Sequence, residues 1–388
     1  MVRRAFLVLA TAAATLPTRP AEACGGGGVT TVTSSSQAAV ADSQRIVLAF
    51  HDDAPGDART EIIAQIGVPA AGSDYGVLIP VPGRPELDPQ PISSADLDAL
   101  DRSTAPTIVT TTVRPPDEDS GSGCGCGSMA GGDTEGAPSS VSVGAPVNVG
   151  PVTAVVLESA DGSALTAWLG ENGFAIPSER QAIVDHYVAM GDGFIAIRRN
   201  DTAPPNGPTS IGLHYTLRGD HRQLSLRFAR IGAAPTVAFT VFVTAPTSVE
   251  PAGDFTPVAL PALSELTLKG KGYSAAVAEA VTVHGWHAFV MEGSPDVPSN
   301  AGLSPTFRAL LGIDAPGKNR LTRLSTVIAA EALDTDVRLD REAKAYPSSV
   351  FVRVASAELP GARESSLGVL SLVFVAQALR RRLRRRDA

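Results

Sequence analysis

Short runs of β-branched and apolar residues, separated by turn-forming segments, make up the first third of this chain. Turn segments such as Ala54-Pro55-Gly56-Asp57 keep the intervals between the first three runs short. Successive short strands with such connections are typical of an antiparallel meander. One helix is expected here, over residues 94–100, with Ser93 or Ser94 as its N-cap. The predicted strands are 44–50, 60–68, 75–82 and 107–113.

The second half of the chain mixes helical and extended periods. Leu165, Trp168 and Leu169 have the i, i+3, i+4 spacing of a helix over residues 163–171. Ser178-Glu179-Arg180-Gln181 has the pattern of a capping box and predicts a second helix. The predicted fold class is therefore α+β, mainly antiparallel β-sheet with a few short helices. Strands are expected over 147–157, 194–198, 211–217, 224–228, 235–243, 281–291 and 321–328.

The chain opens with the pattern of a secretory signal peptide over residues 1–23. Two arginines precede the apolar residues 5–16, and Ala21-Glu22-Ala23 supplies the small residues of a cleavage site. Cleavage would leave Cys24 at the mature N-terminus, so lipidation of this cysteine is an alternative to plain export. Because the charged Glu22 is foreign to a lipidation motif, plain export is the expectation.

The chain closes with an uncharged apolar run, residues 367–379, and six arginines within residues 380–386. As a helix, the 13 residues of this run would span roughly 20 Å, less than the 30 Å or so of a bilayer core. Flanking arginines can reach the interface from a short span, and their position puts the body outside the cytoplasm. The sequence therefore predicts a C-terminal hydrophobic helix that anchors the protein in a membrane. A sorting tail that is removed and a buried core helix are the alternatives.

Composition divides the exported body into two lobes. A β-rich first lobe, residues 24–114, is followed by a Gly/Ser-rich loop, 115–145, whose composition cannot bury a core and predicts disorder. An α+β second lobe, 146–345, leads through a linker, 346–366, to the tail at 367–388. Whether the lobes share one sheet system stays open at this point.

The exported body is strongly acidic. The whole chain has 32 basic and 40 acidic residues, a formal charge of −8. Nine of the basic and two of the acidic residues lie in the two end segments, which leaves 23 and 38, a body charge of −15. Nucleic acid requires clustered cations, so the sequence predicts no nucleic-acid partner. The expected partners are the membrane, through the tail, and an envelope protein or a small ligand.

The three cysteines, Cys24, Cys124 and Cys126, are candidates for disulfide formation in an exported protein. An odd number leaves at least one thiol free, modified or paired between chains. A bridge between neighbours one residue apart is strained, so pairing of one of them with Cys24 is expected. The alternative is a thiol-active or metal-binding pair formed by Cys124 and Cys126.

Histidine offers one candidate metal site. His284 and His287 lie three residues apart, and Glu292 would be the third ligand. Residues at this spacing face opposite sides of a strand, so they share a metal only if Gly285 makes a turn. The alternative is an edge strand beside a packed Trp286. The zinc-protease and serine-nucleophile signatures are absent from the sequence, so neither a catalytic residue nor a cofactor is predicted.

Several short segments follow one another in an order that is similar to one bacterial family. They are Ala23-Cys24-Gly25-Gly26, Gln44-Arg45-Ile46-Val47, Leu78-Ile79-Pro80-Val81-Pro82, Ala164-Leu165, Trp168-Leu169, Asn172-Gly173-Phe174, Tyr187-Val188, Phe194-Ile195-Ala196-Ile197 and Leu321-Thr322-Arg323-Leu324. Over roughly residues 23–340 the chain resembles the export family catalogued as domain of unknown function 2330. The resemblance implies export and often a C-terminal membrane segment, and it implies no activity. The chain departs from it at Gly27-Gly28, where an aromatic residue and a second cysteine are expected.

The sequence thus predicts an exported, membrane-anchored or surface-sorted envelope protein that acts as a non-catalytic binding or structural module. Two other functions are kept as alternatives. One is an envelope metal-dependent hydrolase that uses His284 and His287, with His186 as a further candidate. The other is a thiol-active protein that uses Cys124 and Cys126.

Overall fold

The computed structural model describes residues 30–31, 41–51, 58–69, 76–112, 141–204, 209–259, 272–314, 319–342 and 351–356. Strands are the most abundant element among these residues and are numbered here along the chain. They are β1 (Thr30–Thr31), β2 (Ala41–His51), β3 (Arg59–Val68), β4 (Gly76–Val81), β5 (Glu86–Leu87), β6 (Ile92–Ser93), β7 (Thr107–Thr112), β8 (Val141–Val143), β9 (Val147–Val149), β10 (Val152–Ser159), β11 (Gly193–Arg199), β12 (Thr209–Arg218), β13 (Gln223–Leu224), β14 (Ala233–Ala245), β15 (Ser248–Ala252), β16 (Thr256–Ala259), β17 (Ala288–Gly293), β18 (Arg320–Ala329), β19 (Val337–Glu342) and β20 (Phe351–Ser356).

Short helices lie between the strands, and side-chain caps begin several of them. Ser93 and Ser304 each accept a hydrogen bond from a backbone N–H of the following turn, as N-cap serines do. Asp161 caps its helix in the same way. The helices are α1 (Ser94–Thr104), α2 (Gly162–Glu171), α3 (Gln181–Ala189), α4 (Leu226–Ala229), α5 (Tyr273–Thr282) and α6 (Pro305–Leu311), with 3-10 turns at Ser178–Arg180 and Ala330–Ala332.

The strands form two large sheets and two small ones. The smaller of the large sheets has the order β1-β4-β11-β10-β8, with β9 also paired to β10. The larger has the order β16-β17-β18-β14-β2-β3-β12-β5, with β6 also paired to β12. A three-stranded sheet has the order β13-β19-β15, and β7 pairs with β20. Pairing is mainly antiparallel; β2 with β14, β16 with β17, and β7 with β20 are parallel.

The main hydrophobic core lies between the two large sheets. Leu48 on β2 and Ile79 on β4 both belong to this core. Their chain neighbours Val47 and Leu78 belong to other clusters, because successive side chains of a strand point to opposite faces of its sheet. Each large sheet is therefore buried on both faces. That is why its central strands are nearly continuous apolar runs rather than alternating ones.

Helices cover the outer faces of both sheets. Leu165 of α2 and Tyr187 of α3 pack with Leu78 and Phe194 outside the smaller sheet. On the larger sheet, α1 and α6 pack with β2, β3 and β14, and α5 packs with β17 and β18. The arrangement has four layers: helices, smaller sheet, larger sheet, helices.

The predicted mixed α+β class, dominated by strands, is confirmed. The predicted meander is wrong in its third member, because β4 leaves β3 and pairs with β1 and β11 in the other sheet. The capping box does not form either. Residues 178–180 form a 3-10 turn, and the N-cap position has no side-chain hydrogen bond. Residues 224–228 form the end of β13 and the start of α4 instead of one strand.

Strands from both predicted lobes share the two large sheets. In the larger sheet β2 and β3 pair with β14 and β12, and in the smaller sheet β4 pairs with β11. The predicted signal peptide, most of the Gly/Ser-rich loop and the predicted C-terminal anchor lie outside the described residues. Within the described residues, every helix is too short or too polar to cross a membrane.

Candidate functional site

Two cavities meet at Asp192, and together they are called the Asp192 cleft here. The first has a volume of about 390 Å³, and its walls come from the turn after β4, the turn between α3 and β11, the residues from β12 to α4, and β19. The second has a volume of about 460 Å³ and lies against the end of β10. The first is lined by Pro82, Met190, Asp192, Asp220, His221, Arg222, Gln223, Ser225, Arg338 and Asp340, the second by Gly83, Arg84, Glu158, Ser159, Ala160, Gly191, Asp192 and Gly193.

Local chain geometry fixes the position of Asp192. Helix α3 ends in a Schellman motif, in which the N–H of Gly191 donates to the Val188 carbonyl and the N–H of Asp192 donates to the Tyr187 carbonyl, both at 3.0 Å. Gly191 has φ +78°, which favours glycine. On the other side of Asp192, Gly193 begins β11 with the carbonyl of Gly83 so close that a Cβ atom would lie 2.9 Å from its oxygen. The two glycines thus hold the aspartate at the junction of the cavities.

Asp192 is a buried residue whose carboxyl group faces the cleft without a polar partner among the described residues. The residue is 8 % exposed, and the structure gives its carboxyl group no hydrogen bond or ion pair to any described residue. Burial raises the pKa of Asp192 to about 6, the negative charge of Asp336 adds to the increase, and His221 acts in the opposite direction. A buried group of this kind at a cavity wall is a candidate functional residue.

A hydrogen-bond network fixes Asp336 near the cleft. Its Oδ1 accepts from the Tyr187 hydroxyl at 2.7 Å and from the Arg227 backbone N–H at 2.9 Å. Its Oδ2 accepts from Nε2 of Gln223 at 3.1 Å. Burial raises the pKa of Tyr187, and the adjacent Asp336 carboxylate raises it further. The negative charge that acts on Asp192 is therefore held in a defined place.

The other carboxylates of the cleft wall are paired with arginines. Nε of Arg222 donates to Asp220 at 2.8 Å, and this hydrogen bond lowers the pKa of Asp220. Arg338 contacts Asp340 at 2.5 Å. In the second cavity, Nε of Arg84 lies 3.2 Å from Oε1 of Glu158. These pairs leave Asp192 as the wall carboxylate without an arginine partner among the described residues.

His221 and Ser225 line the same cavity as Asp192 but do not form a catalytic triad with it. Nε2 of His221 lies 2.7 Å from the Arg218 carbonyl oxygen, which only accepts, so this nitrogen carries the hydrogen. A triad needs a histidine bonded to both the nucleophile and a carboxylate. In the described structure, the hydrogen bond of the His221 ring goes to the backbone instead.

The predicted metal ligands lie at and beyond a turn. Residues 283–286 form a turn in which Gly285 and Trp286 have φ +64° and +71°. His287 bonds the Gly285 carbonyl through Nδ1 at 3.0 Å and Asp334 through Nε2 at 2.8 Å, while His284 is exposed. Glu292 is buried and bonded to Tyr273, Arg323 and Ser325. No three His, Cys, Asp or Glu side chains in the described ranges are grouped to hold a metal ion.

Other candidates from the sequence are placed elsewhere or not at all. His186 lies half-buried on α3, where burial lowers its pKa and the charge of Arg227 lowers it further. Cys24, Cys124 and Cys126 lie outside the described residues, so the structure shows no disulfide among them.

A buried ion cluster in the larger sheet was also missed by the sequence patterns. His214 on β12 bonds Glu61 on β3 at 2.9 Å and Asp88 at 3.0 Å. Burial alone would raise the pKa of Glu61, but hydrogen bonds from His214, Thr216 and Arg59 outweigh it and lower the pKa to about 2. Glu61 thus stays ionised and joins β3 to β12.

Asp192 itself was not identified from the sequence, although a local signal exists. In Met190-Gly191-Asp192-Gly193-Phe194, an aspartate stands between two glycines, after a helix and before an apolar strand. The first glycine predicts the helix end. Nothing local indicates that Asp220, Arg338 and the other wall residues come to the same place.

Comparison with known proteins gives one match. A family described as "Uncharacterized protein conserved in bacteria (DUF2330)" matches residues 20–340. No curated protein and no solved structure matches the chain.

Proposed function

The chain belongs to DUF2330, an uncharacterized bacterial family, and from this premise we propose that it is an exported envelope protein that binds a small polar ligand in the Asp192 cleft. The positive and apolar start of the sequence supports export, and the apolar run with its arginines supports a C-terminal membrane tether or sorting tail. The body then faces the outside of the cytoplasmic membrane.

One observation carries the binding function. Asp192, a residue that is 8 % exposed and whose carboxyl group has no polar partner in the described structure, lies at the junction of two cavities. Leaving a buried polar group unpaired costs free energy, so such groups are normally satisfied by protein, water or ligand. Volumes of about 390 and 460 Å³ are in the range of small-molecule sites.

The geometry favours binding over catalysis by the cleft residues. His221 donates to the Arg218 carbonyl, and the wall arginines are engaged by carboxylates. These contacts build a polar wall rather than a nucleophile with its base. The thiol-based alternative remains a prediction from the sequence, because the cysteines lie outside the described residues. The metal-dependent alternative also remains a prediction, but its proposed third ligand, Glu292, is bonded to Arg323.

Methionine methyl groups provide a direct test of cleft binding. Met190 lines the first cavity, whereas Met291 is buried in the core between the sheets and serves as the internal control. With methyl-labelled methionine, we expect a saturable NMR shift of the Met190 signal for at least one of four probes: glucose, glucosamine, cadaverine and succinate. The Met291 signal should stay in place. If none of the probes at millimolar concentration moves the Met190 signal, cleft binding is wrong.

The export part of the proposal is tested by intact mass. Protein taken from the membranes of cells that make it should begin at Cys24 and carry the tail arginines. A mass that lacks the last twenty or so residues would identify a processed sorting tail. A chain that retains residues 1–23 and fractionates with the cytoplasm would contradict export.

A further inference from the structure

Three of the carboxylates that face the cleft are each paired with an arginine, and one is not. Arg222 with Asp220, Arg338 with Asp340, and Arg84 with Glu158 each join a cation to a carboxylate on the wall. Asp192 is the wall carboxylate left over among the described residues. Asp336 adds a second negative charge nearby, and His221 is the remaining titratable group of the first cavity.

We propose that the group recognised at Asp192 is the ammonium group of a small primary amine, an inference that rests on the cleft-binding function above. An ammonium group supplies both a charge opposite to that of Asp192 and three hydrogen-bond donors. Charge-assisted hydrogen bonds to a carboxylate are roughly twice as strong as neutral ones. Burial in a cleft strengthens the attraction further, because the local dielectric constant is lower than that of water.

Acceptors for the remaining donors lie in the same cavity. Nε2 of Gln223 is used by Asp336, which leaves the side-chain oxygen of Gln223 as an acceptor on the cavity wall. Ser225, a residue that is 9 % exposed, lines the cavity as well and carries a hydroxyl group. One carboxylate, one amide oxygen and one hydroxyl are a suitable set of acceptors for an ammonium group.

Other classes of ligand fit less well. A divalent cation needs several oxygen ligands, and the described residues contain no group of three acidic, His or Cys side chains for it. A neutral hydroxyl group would satisfy the hydrogen bond but leave the charge of Asp192 uncompensated. An anion would be repelled by the negative charges of Asp192 and Asp336. The cavities leave room for a body larger than the ammonium group, as in an amino sugar or a diamine.

Three sugars that differ at one substituent, together with a diamine, test this inference. The Met190 methyl signal is followed while glucosamine, N-acetylglucosamine, glucose and cadaverine are added. We expect the two amines to bind at least tenfold more tightly than glucose and N-acetylglucosamine. Asp192→Asn should weaken amine binding at least tenfold. Asp296→Asn, which changes an exposed aspartate outside the cleft wall, should leave amine binding unchanged.

The pH dependence of amine affinity gives a second measurement on the wild-type protein, because protons compete with the amine for Asp192. An ammonium group binds the ionised carboxylate, so amine affinity should rise between about pH 5 and about pH 7.5. The other charged or titratable groups around Asp192 are Asp220, His221, Arg222, Asp336, Arg338, Asp340, Arg84 and Glu158. Asp192→Asn should remove the larger part of this pH dependence.

The outcomes separate this inference from the proposed function. If glucose or N-acetylglucosamine shifts the Met190 signal as strongly as the amines do, the cleft binds polar ligands without selecting ammonium, and only the amine inference is overturned. If amine binding survives in Asp192→Asn, Asp192 is not its partner, and the inference is again wrong. If succinate moves the Met190 signal and the amines do not, only the amine inference is overturned. If neither succinate nor any of these probes moves the signal, cleft binding falls together with it.

Discussion

At the scale of single residues, the ionisation of Asp192 should make the stability of the fold depend on pH. Its pKa is about 6 in the folded protein, against an ordinary value of 3.8 that applies when the chain unfolds. The folded state therefore holds this proton more tightly. Its stability falls as the pH rises from about 4 to about 6, and the stabilising effect is lost above that range.

Replacing Asp192 by Asn should remove this contribution. Between about pH 5 and about pH 7.5, the free energy of unfolding of the wild type should fall by about 0.5–1 kcal/mol relative to Asp192→Asn. The figure is kept low because water in the open cleft screens part of the effect. Urea unfolding at the two pH values measures it, with Asp296→Asn as the control. Parallel changes in wild type and Asp192→Asn would show that another group titrates.

Residue-level features could be predicted only where the signal is local. The N-cap at Ser93 and the helix stop at Asn172-Gly173 follow from neighbouring residues, and the structure has both. Glu61 could not be recognised as part of an ion cluster, because its partner His214 is 153 residues away in the sequence. The same holds for the cleft, since α3 and β19 supply walls that no sequence window contains together.

At the scale of elements, the positions of the strands could be predicted better than the way in which the strands pair. The apolar runs at β2, β3, β11, β14 and β18 lie where the hydrophobic pattern puts them, with bounds shifted by a few residues. Their pairing is set by packing across the core, and β2 lies parallel to β14, which is nearly two hundred residues later. Helix α5 was missed because its alanine-rich face gives a weak pattern. The predicted strand 281–291 is the end of α5, a turn and then β17.

The close contacts between the start of β11 and the neighbouring backbone lead to a prediction about stability. A Cβ atom on Gly193 would lie 2.9 Å from the Gly83 carbonyl oxygen and 3.2 Å from the Leu157 carbonyl oxygen. Both are backbone atoms of adjacent segments and cannot move aside as a flexible side chain does. Gly193→Ala should therefore reduce the free energy of unfolding by about 1–3 kcal/mol. Because Gly193 lines the cleft, this variant should also weaken any ligand that binds there.

Gly170→Ala is the matched control for this prediction. Gly170 lies in α2, and a Cβ atom there would have no neighbour within 4 Å. Alanine is the better helix former, so this variant should be up to about 1 kcal/mol more stable than the wild type. Urea unfolding of both variants makes the comparison. Equal stability of Gly193→Ala and the wild type would mean that β11 has room which the structure does not show.

At the scale of the molecule, the cleft exists because the four layers leave a gap at one end of the smaller sheet. Strand β4 ends at Val81, and β11 begins at Gly193 directly opposite. The three-stranded sheet of β13, β19 and β15 approaches this end and supplies Gln223, Arg338 and Asp340 to the wall. Tyr187 connects the two parts through Asp336. The site therefore depends on segments from both predicted lobes.

This interleaving predicts that the two lobes cannot separate while the protein is folded. Strands β2, β3 and β4 precede the Gly/Ser-rich loop, and their partners β14, β12 and β11 follow it. A protease site placed at residues 128–136, and cut under reducing conditions, should therefore yield two fragments that elute together in gel filtration. They should separate only in urea, since the main core contains side chains from both fragments. Separate elution without denaturant, with the uncut protein still eluting as one species, would show that each lobe folds around a core of its own.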